Sequence, residues 1–119
     1  MITALGRFLR KLRIDRGELM KDMADNLGIS PSMLSAIENG KRNSPAGFAS
    51  RIERAYQLGA NQIEVLTKAL AETQDEVRIS LSGRSEEDAT LAFAFARRFD
   101  DLDDSSKEDL LKILKRGEA

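Results

Sequence analysis

From Leu27 to Ser32 the chain reads Leu-Gly-Ile-Ser-Pro-Ser, and no other stretch restricts the fold as strongly. Before it, Met23, Ala24 and Leu27 recur at helical spacing, so an amphipathic helix starting at about Leu19 stops at Gly28. After it, Ser30 is an N-cap by type. Pro31 suits the first helical position, where a missing N–H costs nothing and its fixed φ already fits. The helix that begins there turns Leu34 and Ile37 inward and is closed by Asn39-Gly40. Only about three residues separate the two helices. Short helices joined so tightly cannot lie antiparallel and must cross steeply.

Helical periodicity extends on both sides. Leu5, Phe8, Leu9 and Leu12 form one apolar stripe of a first helix that Gly17 ends. Ser44-Pro45 repeats the cap-plus-proline start, and Phe48, Ile52 and Tyr56 mark a fourth helix that Gly59 stops. Asn61 followed by Glu64 reads as a capping box for a fifth, with Ile63, Leu66 and Leu70 apolar. The prediction is an all-α domain of five helices over residues 1–75, followed by a separate segment over residues 76–119.

The stretch MKDMADNLGISPSMLSAIEN, Met20 to Asn39, resembles the helix-turn-helix of the phage-repressor and Cro-like (Cro/C1-type, XRE) family of DNA-binding regulators. The likeness covers roughly residues 5–70, including the ending IENGKR and Pro45. Its constrained positions also have physical reasons of their own: a side chain larger than Ala24 would push the two helices apart, and a Cβ at Gly28 would strain a left-handed turn. The resemblance implies an ion pair between Arg13 and Glu38, tying the first helix to the end of the third. It also implies that the third helix enters the major groove while the second lies on the DNA backbone. Carried over residue by residue, the base-facing set is Ser30, Pro31, Ser32, Met33, Ser35 and Ala36. The phosphate set is Lys21, Asn39, Lys41, Arg42 and Asn43. The family often has Gln where this chain has Met20, and Lys21 beside it can take over that contact.

None of the base-facing side chains can form a bidentate bond to guanine or adenine. Two readings follow. Either serine hydroxyls and the apolar Met33 and Ala36 contribute tolerant contacts, with specificity resting on DNA shape and paired half-sites, or the motif serves only as a scaffold. For the cations the competing reading is a solvated loop.

Charge bears on that choice. The net charge of the chain is −1, but residues 1–60 hold ten Lys/Arg against six Asp/Glu, a balance of +4, and the remainder holds nine against fourteen, a balance of −5. A polyanion is therefore met by the first half alone, where Arg7, Arg10 and Lys11 can add steering. With no cysteine and no histidine, disulfides, thiolate or imidazole metal sites and the common nucleophile–base pairs are excluded. The remaining polar residues form no catalytic grouping, so no enzyme, cofactor or metal is expected. Cations at Arg7, Arg10, Lys11 and Arg13 interrupt the N-terminal apolar residues, and no apolar run can span a membrane, so a cytoplasmic protein is expected.

Beyond residue 75 the pattern changes. Val77, Ile79 and Leu81 alternate with polar residues, which predicts a short strand ended by Gly83. Lacking a partner in its own chain, such a strand would pair with a second copy; the competing reading is an extended linker docked on its own domain. Ser85 and Asp88 open a helix in which Leu91, Phe95 and Phe99 share a face, with Ala89, Ala92 and Ala96 small beside them and Arg97 and Arg98 near its end. The acidic DDLDDSS leads to a last helix bearing Leu110, Leu111, Ile113 and Leu114, stopped by Gly117. A helical hairpin of this size needs another surface to cover its apolar face. The expectation is thus a homodimeric repressor on a palindromic operator, dimerised through Val77, Ile79, Leu81, Leu91, Phe95 and Phe99. The other reading is an antitoxin-like or immunity-like regulator whose acidic half binds a basic, toxin-like protein, since repressors of this resemblance occur in prophages and toxin–antitoxin operons.

Overall fold

The computed structural model describes residues 1–116, and these are helical with no strand among them. Seven α-helices follow in order: α1 (Ala4–Arg16), α2 (Met20–Leu27), α3 (Pro31–Glu38), α4 (Phe48–Tyr56), α5 (Ala60–Thr73), α6 (Glu86–Arg98) and α7 (Asp104–Leu114). A short 3-10 turn, Phe99–Asp101, separates the last two. The chain divides into two compact units after Arg78.

The first unit is built on the apolar stripes read above. Leu5, Leu9 and Leu12 of α1, Met23, Ala24 and Leu27 of α2, Leu34 and Ile37 of α3, Phe48, Ile52 and Tyr56 of α4, and Leu66 of α5 form one buried cluster. Phe8 and Leu70 pack against its edge. Burying a side chain such as Leu34 is worth about 1.5–3 kcal/mol, so the faces of these short helices stabilise the unit more than their own hydrogen bonds do. Helix α1 lies along α5 and touches α3, and α2 packs on both α3 and α4.

Three local readings are corrected. Helix α4 begins at Phe48, after Gly47, and Ser44-Pro45 does not cap it. The backbone N–H and hydroxyl of Ser44 both donate to Gln74 Oε1, at 2.6 Å, so that serine is engaged by the end of α5. Gln57, at φ 50°, rather than Gly59, takes the left-handed position that ends α4. Helix α5 then starts two residues before the Asn61–Glu64 reading: Gly59 precedes it and its N–H donates to Gln62 Oε1 at 3.4 Å.

The end of α4 is held by its neighbours. Arg16 Nη2 donates to the Tyr56 carbonyl at 2.7 Å while its guanidinium lies 5.2 Å from the ring centroid, and the Tyr56 hydroxyl donates to Glu18 Oε1 at 2.7 Å. Burial, reinforced by the Glu18 carboxylate, pushes the phenol from 10 up to about 12. Because the folded value is the higher one, the fold favours the protonated phenol. That contribution is complete below pH 10 and is lost as pH rises from 10 to 12. Tyr56→Phe is therefore expected to lower stability by about 1 kcal/mol at neutral pH and to flatten this alkaline loss. Urea midpoints followed from pH 8 to 12 for both proteins check it; equal alkaline slopes would contradict the assignment.

The second unit differs from its reading. Residues 77–81 form no strand: Val77 is 87% and Ile79 66% exposed, and Leu81 leads into a turn in which Arg84 N–H donates to the Leu81 carbonyl at 3.1 Å. Within one chain the alternating pattern has no second strand to supply a ladder, so the segment carries no regular structure. Ser85 does cap α6, accepting from Asp88 N–H at 3.1 Å, and Asp103 caps α7, accepting from Ser106 N–H at 2.7 Å. The Ser106 N–H holds the Asp103 carboxyl below the usual aspartate range. Neither helix contains a buried residue, so within this chain the apolar faces of α6 and α7 are left uncovered. Gly117, read as the stop of the last helix, lies outside the described residues.

Candidate nucleic-acid interface

Helix α3 is positioned from both ends. At its start the Ser30 hydroxyl accepts from Met33 N–H at 3.1 Å, with Pro31 in the first turn. The turn before it is a paired cap on α2: Gly28 N–H reaches the Asp25 carbonyl at 3.2 Å and Ile29 N–H the Ala24 carbonyl at 3.0 Å. Gly28 sits at φ 70° with open space around it, so glycine is required there for conformation and not for room. Arg51 Nη1 satisfies a further carbonyl at the end of α2, that of Leu27, at 3.2 Å.

At the far end Gly40, at φ 72°, lets Lys41 N–H donate to the Ala36 carbonyl at 2.9 Å. Arg13 and Glu38 form the ion pair that the resemblance implied. It is forked, Nη1 to Oε2 and Nη2 to Oε1, the latter at 3.1 Å, and both side chains are over nine-tenths buried. Arg13 Nη1 also approaches Met23 Sδ at 3.2 Å. The Glu38 carbonyl accepts from the N–H and the hydroxyl of Thr3, at 3.0 and 2.9 Å, and that hydroxyl in turn accepts from Gly6 N–H at 3.1 Å, capping α1.

The exposed side of α3 is what the fold leaves over. Ser30, Pro31 and Ser32 are exposed, and Met33, Ser35 and Ala36 are half-buried. Met33 packs partly on the core, the Ser30 hydroxyl is used as a cap, and the exposed Ser32 hydroxyl lies 3.3 Å from it, within hydrogen-bond distance. Of the five residues expected at phosphates, Lys21, Lys41 and Arg42 are exposed. The amide groups of the other two each donate one hydrogen bond within the fold: Asn39 Nδ2 to the Ser35 carbonyl at 2.9 Å and Asn43 Nδ2 to Asp75 Oδ1 at 3.3 Å. Lys41 and Arg42 share a shallow groove with Glu72 and Asp75, so their field is partly offset on one side.

The basic residues of α1 divide in the same way. Arg13 and Arg16 are used inside the unit, and Lys11 pairs with Asp15 at 3.7 Å across an exposed turn. Thr3, Gly6 and Arg51 position the motif without having been read as doing so. The one sequence signal was Gly6, a glycine inside an otherwise amphipathic helix.

A family model described as a helix-turn-helix domain matches residues 4–66, from the start of α1 into α5. The chain belongs to the helix-turn-helix domain family. The helix-turn-helix proper is the α2–α3 pair with Gly28 at its turn, and the match makes DNA the partner class of this unit. No curated protein and no solved structure matches the chain. Among the described residues no helix is long and apolar enough to cross a membrane, and no three His, Cys, Asp or Glu side chains come together as a metal site.

Proposed function

We propose that this helix-turn-helix protein is a Cro/C1-type (XRE) transcriptional repressor that occupies a palindromic operator as a homodimer. The observation that carries the reading is the division of α3. Its inner side is locked by Leu34, Ile37 and the Arg13–Glu38 fork, its outer side shows Ser30, Pro31 and Ser32, and exposed Lys41 and Arg42 follow directly. A helix so held can enter a major groove with its N-terminal residues at base edges and the following cations at phosphates. Because the outer face lacks bidentate readers, a single unit would discriminate poorly. Two units about 34 Å apart would add half-site spacing to the recognition. We assign the chain no catalytic step and no cofactor.

Binding-site selection with the full-length protein, followed by titration of the selected duplex at two salt concentrations, tests the proposal. Ser32→Ala is expected to relax preference at one base position. Arg42→Ala should weaken all sequences about equally and lower the salt slope by about one. If selection returns no common sequence, the regulator reading fails, and if Arg42→Ala changes neither affinity nor slope, the phosphate role is misplaced.

The acidity of residues 61–119, together with the lack of buried residues in α6 and α7, favours a second reading, an antitoxin-like role against a basic protein. Co-expression with the product of a short basic reading frame beside the gene separates the two. A stoichiometric complex supports the antitoxin-like reading, and its absence alongside operator binding supports the first.

A further inference from the structure

Helix α6 carries its apolar residues in the open. Leu91 is 71%, Phe95 42% and Phe99 56% exposed, and the Phe95 and Phe99 rings lie 5.5 Å apart. The order of residues along this face shows what can cover it. Asp88, Leu91, Phe95 and Arg98 follow at intervals of three, four and three, so they form one seam on the helix. Turned end for end about its midpoint, the seam matches itself: position 91 falls opposite 95 and position 88 opposite 98. Apolar then meets apolar and acid meets base. A parallel copy would instead set Asp88 against Asp88 and Arg98 against Arg98. Ala92, beside the seam, is small enough to let two helices approach.

We infer that α6 pairs antiparallel with α6 of a second copy, about a two-fold axis crossing the seam midway between Leu91 and Phe95, with Leu91 against the partner copy's Phe95 and Asp88 against its Arg98. The pairing gives the homodimer proposed above its interface and rests on that reading. It does not use the 77–81 segment. The seam charges are available for it. Asp88 has only an exposed contact with Arg84, at 3.5 Å, and Arg98 only one with Asp101, at 4.0 Å, and such exposed pairs exchange partners at little cost. The contact is isologous, so it closes at two copies and does not propagate into a filament.

The same charges also suit the α6 dipole, with Glu86, Glu87 and Asp88 in the first turn and Arg97 and Arg98 in the last. A charge swap separates the two roles. Sedimentation equilibrium of the full chain is expected to show dimers whose dissociation constant rises about tenfold in Asp88→Arg, and about tenfold in Arg98→Asp, because each substitution sets like charges together at both ends of the seam. The double variant restores opposite charges only in the antiparallel arrangement, and its dissociation constant should return to within about threefold of the parent. If the charges served the dipole alone, the double variant would be the least stable of the three and no better a dimer than either single one. That result, or a parent chain monomeric at every concentration, would overturn the inference. Half-site DNA binding, measured on the same samples below the dimer concentration, reports on the DNA-binding proposal separately.

Discussion

Glu38→Ala is expected to destabilise the N-terminal unit by about 3–5 kcal/mol, the cost of leaving one partner of a buried ion pair behind. The Arg13 side chain is 9% exposed, its fork is directed at the Glu38 carboxylate, and a guanidinium keeps its charge in proteins. With the carboxylate gone, the charge either remains buried and uncompensated beside Met23 Sδ or drags α1 away from α3 to reach water. Net stabilities of small domains are about 5–15 kcal/mol, so the variant should be largely unfolded a few tens of degrees below the parent midpoint. Intact, the fork contributes little net stability, since its attraction is spent against desolvation. A double replacement, Arg13→Met with Glu38→Leu, should therefore recover most of the loss. Urea denaturation of the three proteins checks both statements. A single-variant loss under about 1 kcal/mol would mean that the fork is more accessible to water than its burial implies.

That fork was implied only by the family resemblance, since its partners stand twenty-five residues apart; what the residues themselves made legible is local. Helix stops and starts from Gly17 to Gly40 were legible because each depends on residues within one turn: a left-handed glycine, a serine hydroxyl facing an N–H three residues on, a proline whose φ is already helical. The buried stripes were legible because a period near 3.6 survives in every helix of the unit. The readings that failed were those decided at a distance. Ser44 has the local chemistry of an N-cap but bonds Gln74, thirty residues away, and no local pattern announces that choice. Gly59 and Gln57 exchanged roles because the helix end was set by where Tyr56 had to be buried, and a non-glycine residue then accepted the left-handed angle.

At the candidate site, contacts decided at a distance add detail that sequence position does not carry: one N–H of the Asn39 amide is held by Ser35 O and one of the Asn43 amide by Asp75 Oδ1, leaving each a second donor. Exposed Lys21, Lys41 and Arg42 remain because no acceptor among the described residues engages their side chains. Where the two units meet in sequence, an alternating triplet, Val77, Ile79 and Leu81, is a strand only if another strand completes its ladder, a condition that three residues of pattern cannot express. The helices α6 and α7 were legible from caps and periodicity, as was their need for another surface, but not which surface covers them, because periodicity states which face is apolar and not what packs on it.

Gly6→Ala carries the second large effect, and it reaches from α1 to the far end of α3. A methyl at residue 6 would lie 2.3 Å from the Glu38 carbonyl oxygen and 2.6 Å from Ile2 Cγ1. Ile2 can rotate away, whereas the carbonyl belongs to the last turn of α3 and also accepts both Thr3 hydrogen bonds. Alanine is the better helix former by about 1 kcal/mol, so an exposed glycine at this point would be improved by the change. Here the overlap is with backbone, and relieving it separates α1 from α3 at a cost of about 1–3 kcal/mol beyond that helical gain. The displaced segment runs directly into Lys41 and Arg42. The variant should therefore lose affinity for DNA more steeply than its stability alone explains, with weakened binding at temperatures where it remains fully folded. Thermal melts paired with DNA titrations well below the midpoint distinguish the cases: a stable Gly6→Ala protein with parental affinity would show that the α1–α3 contact neither limits the fold nor positions the cations behind the recognition helix.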